Sequence, residues 1–171
     1  MDVEARVRES FGRQGLMRAL GATLEEVGEG VVAIRVPRSE AFTQQHGYLH
    51  AGAVIAVVDT ACGYAALTVA QPGHEVLTSE LKVNLLRPAA GEALIARGRV
   101  VRAGRTLTVC QGDAYDASDP DWHVATMLST VVQVPSNTGG SGRDEPEDRP
   151  DPPRPRRTEE QRAEPRPDSE R

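Results

Sequence analysis

The run from Ala51 to Ala70, AGAVIAVVDTACGYAALTVA, contains one charge, Asp59, in an otherwise apolar or small-residue stretch. As a helix it would be about 30 Å long, the span of a small domain, so the rest of the chain must supply a layer to cover it. On a 100° wheel Asp59 shares a face with Ile55, Ala56, Cys62, Gly63 and Ala66, while Val54, Val57, Ala61, Tyr64 and Thr68 lie opposite. The acid therefore sits over small side chains, with room for a ligand or a second backbone. Apolarity on all sides predicts burial, and a buried carboxylate needs donors or a raised pKa. A hydrogen bond to nearby backbone, or a point where the helix surfaces, would satisfy it without any function.

The flanking segments read as the covering layer. Residues 2–18 place Val3, Val7 and Phe11 at helical spacing, predicting a short amphipathic helix that ends near Gly15 or Gly21. Ala22 to Val27 and Val31 to Val36 form a hairpin around Gly28-Glu29-Gly30, and Pro37 closes its second strand. Arg38 to Gln45 is a polar connection into the long helix, which Gln71-Pro72-Gly73 stops. Four strands follow: Val76 to Leu86, Ala93 to Val101, Leu107 to Tyr115 and Trp122 to Val134. In the first of them Leu77, Leu81, Val83 and Leu85 alternate with Thr78, Glu80, Lys82 and Asn84, which predicts that Thr78 points away from its own helix. Helix, two strands, a long helix and a four-strand meander give an α+β fold, a curved antiparallel sheet wrapped around one central helix. A sheet of this kind leaves an edge open, and pairing through that edge is the expected route to a homodimer or a homotetramer.

Composition sets the limits of the domain. After Pro135 the chain of 171 residues loses every strongly apolar side chain. Residues 1–135 are thus expected to form the folded domain, and residues 136–171, rich in Pro, Arg, Asp and Glu, a disordered tail. A net charge of −5 and a pI near 5.4 offer nucleic acid no basic face. The amino end has early acids and no apolar core, unlike a signal peptide, and Asp59 interrupts a run already short for a membrane span. A cytoplasmic protein with no membrane partner is expected. Cys62 and Cys110 stand apart without a CxxC spacing, as two buried thiols in a reducing compartment would.

The central stretch has the parts for acyl transfer to water. A helix amino terminus offers unpaired N–H groups and a positive dipole end, and Ala51 and Gly52 are small enough to admit a carbonyl. Asp59 lies about 12 Å further along the same axis, beyond reach of a carbonyl bound at its own helix start. Two copies with antiparallel helices would bring one copy's donors to the other's carboxylate. Backbone donors on a thioester carbonyl, with a carboxylate to activate water or attack directly, suffice for hydrolysis, because the thiolate leaves with little acid assistance. His46 and His50 are four apart, but Gly47 breaks any helix between them and no glutamate follows, so no metal is expected and no cofactor is needed.

Gln44-Gln45-His46-Gly47-Tyr48-Leu49-His50-Ala51-Gly52, Asp59-Thr60-Ala61, Thr78 to Pro88 (TSELKVNLLRP) and Gly104-Arg105-Thr106 together resemble the hotdog-fold acyl-CoA thioesterases of the phenylacetic-acid-degradation (PaaI-like) type. The resemblance runs from about residue 15 to residue 134 and leaves out the tail. It implies a coenzyme A thioester as substrate and Asp59 as the catalytic base or nucleophile. Ala51 falls where the family usually has the glycine whose N–H polarises the carbonyl; alanine keeps that donor unless the position needs a positive φ. Gln44 stands where many members have an asparagine that places the carbonyl or water, and Thr78 where relatives have a serine or threonine that orients water or the carboxylate. His50 resembles the family's histidine before the helix, a structural or substrate-positioning group, and Gly52 beside it is a further candidate for substrate binding. Arg102 and Arg105, flanking a turn, are candidate contacts for the phosphates of coenzyme A, with ordinary solvated turn charges as the alternative. The departures at Gln44 and Ala51 leave a second reading open, a non-catalytic acyl-CoA-binding hotdog protein.

Overall fold

The apolar alternation of the strand segments builds one sheet. The computed structural model describes residues 2–136. After helices α1 (Val3–Arg13) and α2 (Gly15–Ala19) come β1 (Thr23–Gly28), β2 (Val31–Pro37), the long helix α3 (Ala51–Thr68), β3 (His74–Leu85), β4 (Ala93–Ala103), β5 (Leu107–Asp116) and β6 (His123–Pro135). The strands pair antiparallel throughout in the order β1-β2-β4-β5-β6-β3, so β1 and β3 are the edges. This is the expected curved sheet around one helix, the hotdog architecture. The tail expected at 136–171 lies, from residue 137 onward, outside the described residues.

Side-chain size fixes where α3 lies. Val32, Ile34 and Val36 of β2, Leu94 and Ala96 of β4, and Ala125, Met127 and Val131 of β6 are buried. Between them, Gly98 of β4 and Gly112 of β5 take the closest approach of the helix. A Cβ on Gly98 would stand 2.3 Å from the carbonyl carbon of Ala61, and one on Gly112 would stand 2.5 Å from Val58 Cγ1. Glycine on two neighbouring central strands thus cuts a groove into which Val58, Ala61 and Cys62 settle. Each fully buried valine on that side, Val57 and Val58 among them, contributes about 1.5–3 kcal/mol.

Up to Gly63 only one side of α3 is covered in this way. Gly52 is exposed, and Ile55, Ala56, Asp59, Thr60 and Gly63 are half-buried, so the predicted all-round burial holds only from Tyr64 to Thr68, where every residue is buried. By length and composition α3 could cross a membrane, yet 56% of it is buried inside the protein.

Three local details depart from the sequence reading. The amino-terminal helix breaks at Gln14, whose backbone is extended, and restarts as α2. β6 begins at His123 rather than Trp122. The third concerns the site: the β3–β6 register slips between Thr78 and Glu80, so Ser79 is a bulge. Thr78 pairs with Val131, while Leu81, Val83 and Leu85 pair with Ser129, Met127 and Ala125, and all four of those partners are buried. The extra residue reverses the alternation. Thr78 therefore joins Leu81, Val83 and Leu85 on the helix side, and Leu77 turns outward with 60% of its surface exposed. The expectation that Thr78 faces away from its own helix is corrected accordingly.

Candidate active site

The start of α3 is built by its own loop. His50 is the N-cap, and its Nδ1 accepts the Gly52 N–H at 2.9 Å. A Cβ on Gly52 would lie 3.1 Å from that ring nitrogen, so the small residue leaves room for the cap. The loop before it is pinned: His50 N–H donates to the Phe42 carbonyl at 2.8 Å, and Leu49 N–H to the Ala89 carbonyl at 3.0 Å. Ala51, the first residue of the helix, keeps its N–H, for which no acceptor is found among the described residues. Its φ is not positive, so alanine is unstrained there. Gln44 closes the turn that precedes, its Oε1 accepting the His46 N–H, and Gly47 takes a φ of 79° to complete it. Gln44, His50 and Ala51 line one cavity of about 530 Å³, walled by Leu49, Val54 and Leu85.

Asp59 stands elsewhere. Thr78 Oγ1 donates to its Oδ1 at 2.8 Å, a contact that the Ser79 bulge makes possible. The carboxylate is half-buried and so meets the requirement for a donor without a full protein cage. Its other oxygen is left for a ligand or water. Beside it opens a second cavity of about 260 Å³, lined by Ser10, Gln14, Gly63 and Tyr64 as well as Asp59 and Thr78. The structure thus brings Gln44, His50 and Ala51 together in one place and Asp59 with Thr78 in another. Gly52, its N–H held by His50, borders a third hollow with Phe42 and Ala56.

Arg102 and Arg105 line neither the cavity at the start of α3 nor the cleft beside Asp59. Arg102 is an exposed residue near the end of β4, paired with Val109, and Arg105 sits on the exposed β4–β5 turn, where its carbonyl accepts from Gln71 just past the carboxyl end of α3. A different cation borders the cavity at the start of α3: Arg87, stacked over the Trp122 ring at 5.5 Å, with its Nη1 donating to the His123 carbonyl at 3.3 Å. Sequence reasoning passed over Arg87 because Arg-Pro reads first as a strand terminator. It also missed Ser10 and Gln14, since nothing local in a surface helix says which distant cleft it borders. Among the described residues no group of three or more His, Cys, Asp or Glu side chains is placed to hold a metal.

A half-buried carboxylate on a long helix wrapped by an antiparallel sheet, with an unpaired N–H at the helix start, defines the class: a hotdog thioesterase scaffold. Comparison with known proteins narrows this. The sequence profile of the Thioesterase superfamily matches residues 46–122. A protein of Saccharolobus solfataricus named "Putative esterase" is 32% identical over 126 residues, covering 70% of this chain and 87% of that one. A crystal structure of a thioesterase family protein from Silicibacter pomeroyi is 44% identical, covers 78% of this chain and 99% of that one, and superposes with a TM-score of 0.74. The E. coli PaaI protein from the phenylacetic acid degradation operon has the same fold at 20% identity and a TM-score of 0.72, covering 79% of this chain and 95% of that one. The chain belongs to the thioesterase superfamily.

Proposed function

We propose that the protein hydrolyses an acyl- or aryl-CoA thioester to the free acid and coenzyme A, at a site assembled from two copies of the chain. The observation that carries this is Asp59: a carboxylate on a cleft, oriented by Thr78, on a helix whose first N–H is unpaired. Within one protomer the donor and the acid border different cavities and lie eight residues apart on one helix, about 12 Å. An antiparallel partner helix would close that gap, and the free edge of β3 offers a route for the association.

In the assembled site the thioester carbonyl oxygen accepts the Ala51 N–H, with Gln44 and His50 beside it. Asp59 of the other copy takes a proton from water as the water oxygen bonds to the carbonyl carbon. The oxyanion so formed is held by the Ala51 N–H and the positive end of α3. Collapse breaks the C–S bond and expels the thiolate, which receives the proton from Asp59. If instead Asp59 attacks directly, an anhydride forms first and water cleaves it. Thr78 serves both routes by fixing which carboxylate oxygen faces the substrate. Arg102, Arg105 and Arg87 are the cations available to the phosphates of coenzyme A, and Arg87 is the one that borders the donor cavity. Two buried free thiols fit a reducing, cytoplasmic setting.

The test is steady-state hydrolysis across a panel of acyl- and aryl-CoA thioesters. Asp59→Asn should lower kcat by roughly 10²–10⁴. An unaffected variant removes Asp59 from the mechanism. Tight binding of intact thioester without turnover in the wild type would instead favour the acyl-CoA-binding reading, for which the engagement of the Gln44 side-chain carbonyl by His46 is the supporting observation.

A further inference from the structure

The cleft beside Asp59 is closed by a wall that lies outside the matched profile, which begins at residue 46. Ser10 of α1 and Gln14 just after it border this cleft. The Tyr64 hydroxyl donates to Ser10 Oγ at 3.2 Å and accepts from Gln14 Nε2 at 3.1 Å. Phe11 packs edge-on against the Tyr64 ring, with centroids 5.9 Å apart. The helix behind this wall is anchored: Val7 is fully buried, and Arg6 bonds the His74 carbonyl and pairs with Glu75 at 3.2 Å.

Gly63 lies one helical turn beyond Asp59 on the same cleft. Glycine inside a helix is destabilising relative to alanine, so its presence calls for a reason. At Gly98 and Gly112 the reason is contact with α3. At Gly63 a Cβ would find no atom within 4 Å. The space left there opens beside the carboxylate.

We propose that this cleft receives the acyl group of the thioester, with Gly63 as its floor and the Ser10–Tyr64–Gln14 cluster as its end, so that α1 sets the longest acyl chain accepted. The proposal rests on the thioesterase reading above. The cleft volume of about 260 Å³, below the roughly 300–1,000 Å³ of pockets that enclose whole drug-sized ligands, suits an acyl group. Leu67 and Val76 give it an apolar lining.

The experiment measures kcat/KM with the full chain for straight-chain acyl-CoA thioesters from acetyl to dodecanoyl. The wild type should show a length cut-off. Gly63→Val should move it to shorter chains, each excluded methylene costing about 10–200-fold in kcat/KM, and Gln14→Ala should move it to longer ones. Gly63→Ala guards against misfolding: its Tm should equal or exceed that of the wild type, with the assembly unchanged in sedimentation. An unchanged cut-off in both length variants, in a protein that Asp59→Asn inactivates, overturns the acyl cleft and leaves the thioesterase reading standing. A lower Tm or a dissociated assembly for Gly63→Ala shows that the glycine serves packing, which also overturns it. If the wild type hydrolyses none of these straight-chain thioesters, the length-setting cleft is overturned, and turnover of aryl-CoA thioesters then decides the thioesterase reading separately.

Discussion

Asp59 illustrates how much one side chain's surroundings decide. The sequence marked it as a lone charge in an apolar helix, and the structure supplies Thr78 as its donor at 2.8 Å. A hydrogen bond to a charged group is worth about 1.5–3 kcal/mol, so Thr78→Val should lower kcat by roughly 10–100-fold if that bond orients the carboxylate. Thr78→Ser should restore most of the loss, which a purely structural role for the methyl group would not allow. The cysteines give a second residue-scale prediction. Burial pushes the Cys62 thiol up to about 12, with Cys110 nearby adding to it, and burial pushes Cys110 up to about 11. Both folded values exceed the unfolded one near 8.5, so the stabilisation is fully present below that pH. As pH rises from about 9 toward 12 the unfolded chain sheds protons the folded chain retains, and stability falls by up to about 1.4 kcal/mol per pH unit for each thiol. Urea unfolding at pH 8 and pH 10.5 measures the difference, and a Cys62→Ala/Cys110→Ala variant should flatten it. In the native protein neither thiol should react with a disulfide reagent at neutral pH until the chain unfolds.

Elements were legible where periodicity and punctuation agree. The hairpin at Gly28-Glu29-Gly30, the long helix and the four later strands all appear within a residue or two of the boundaries their turn residues mark. Ser79 was not legible, because a bulge inserts one residue while leaving an alternating sequence that reads smoothly through it; only the partner strand's buried Val131 and Ser129 reveal the slip. Thr78 was consequently assigned to the wrong face. Gln14 was missed for a related reason: Gly15 and Gly21 are the visible breakers, yet the chain turns one residue before the first of them. The groove on β4 and β5 yields a prediction at this scale. Gly98→Ala would put a Cβ 2.3 Å from Ala61 backbone, and neither helix nor sheet backbone can yield cheaply. It should destabilise by about 1–3 kcal/mol or more, read as a lower urea midpoint at unchanged m-value. Because α3 would be lifted from the sheet, Asp59 and Thr78 should separate, and activity should fall with stability.

At the scale of the whole molecule the question is why one protomer keeps its donor and its acid in separate cavities. Helix geometry answers it: residues 51 and 59 of one α-helix stay about 12 Å apart whatever the surroundings. That much was readable from spacing, whereas the uncovered stripe of Gly52, Ile55, Ala56, Asp59 and Gly63 required coordinates, because the wheel alone could not say which face the sheet would leave open. A shared site makes a prediction that a self-contained one does not. Ala51→Pro removes the proposed donor N–H at the first helical position, where proline is tolerated, and His50 at φ −61° and ψ 138° already has the backbone that precedes a proline. Ala51→Pro and Asp59→Asn should each be nearly inactive alone. Co-expressed at equal levels, half of the dimers pair one chain of each kind. Each such dimer joins the intact helix start of the Asp59→Asn chain to the intact acid of the Ala51→Pro chain, while its second site lacks both groups. About one quarter of wild-type activity per site should therefore return. A site confined to one protomer would recover nothing, since no chain in the mixture has both groups.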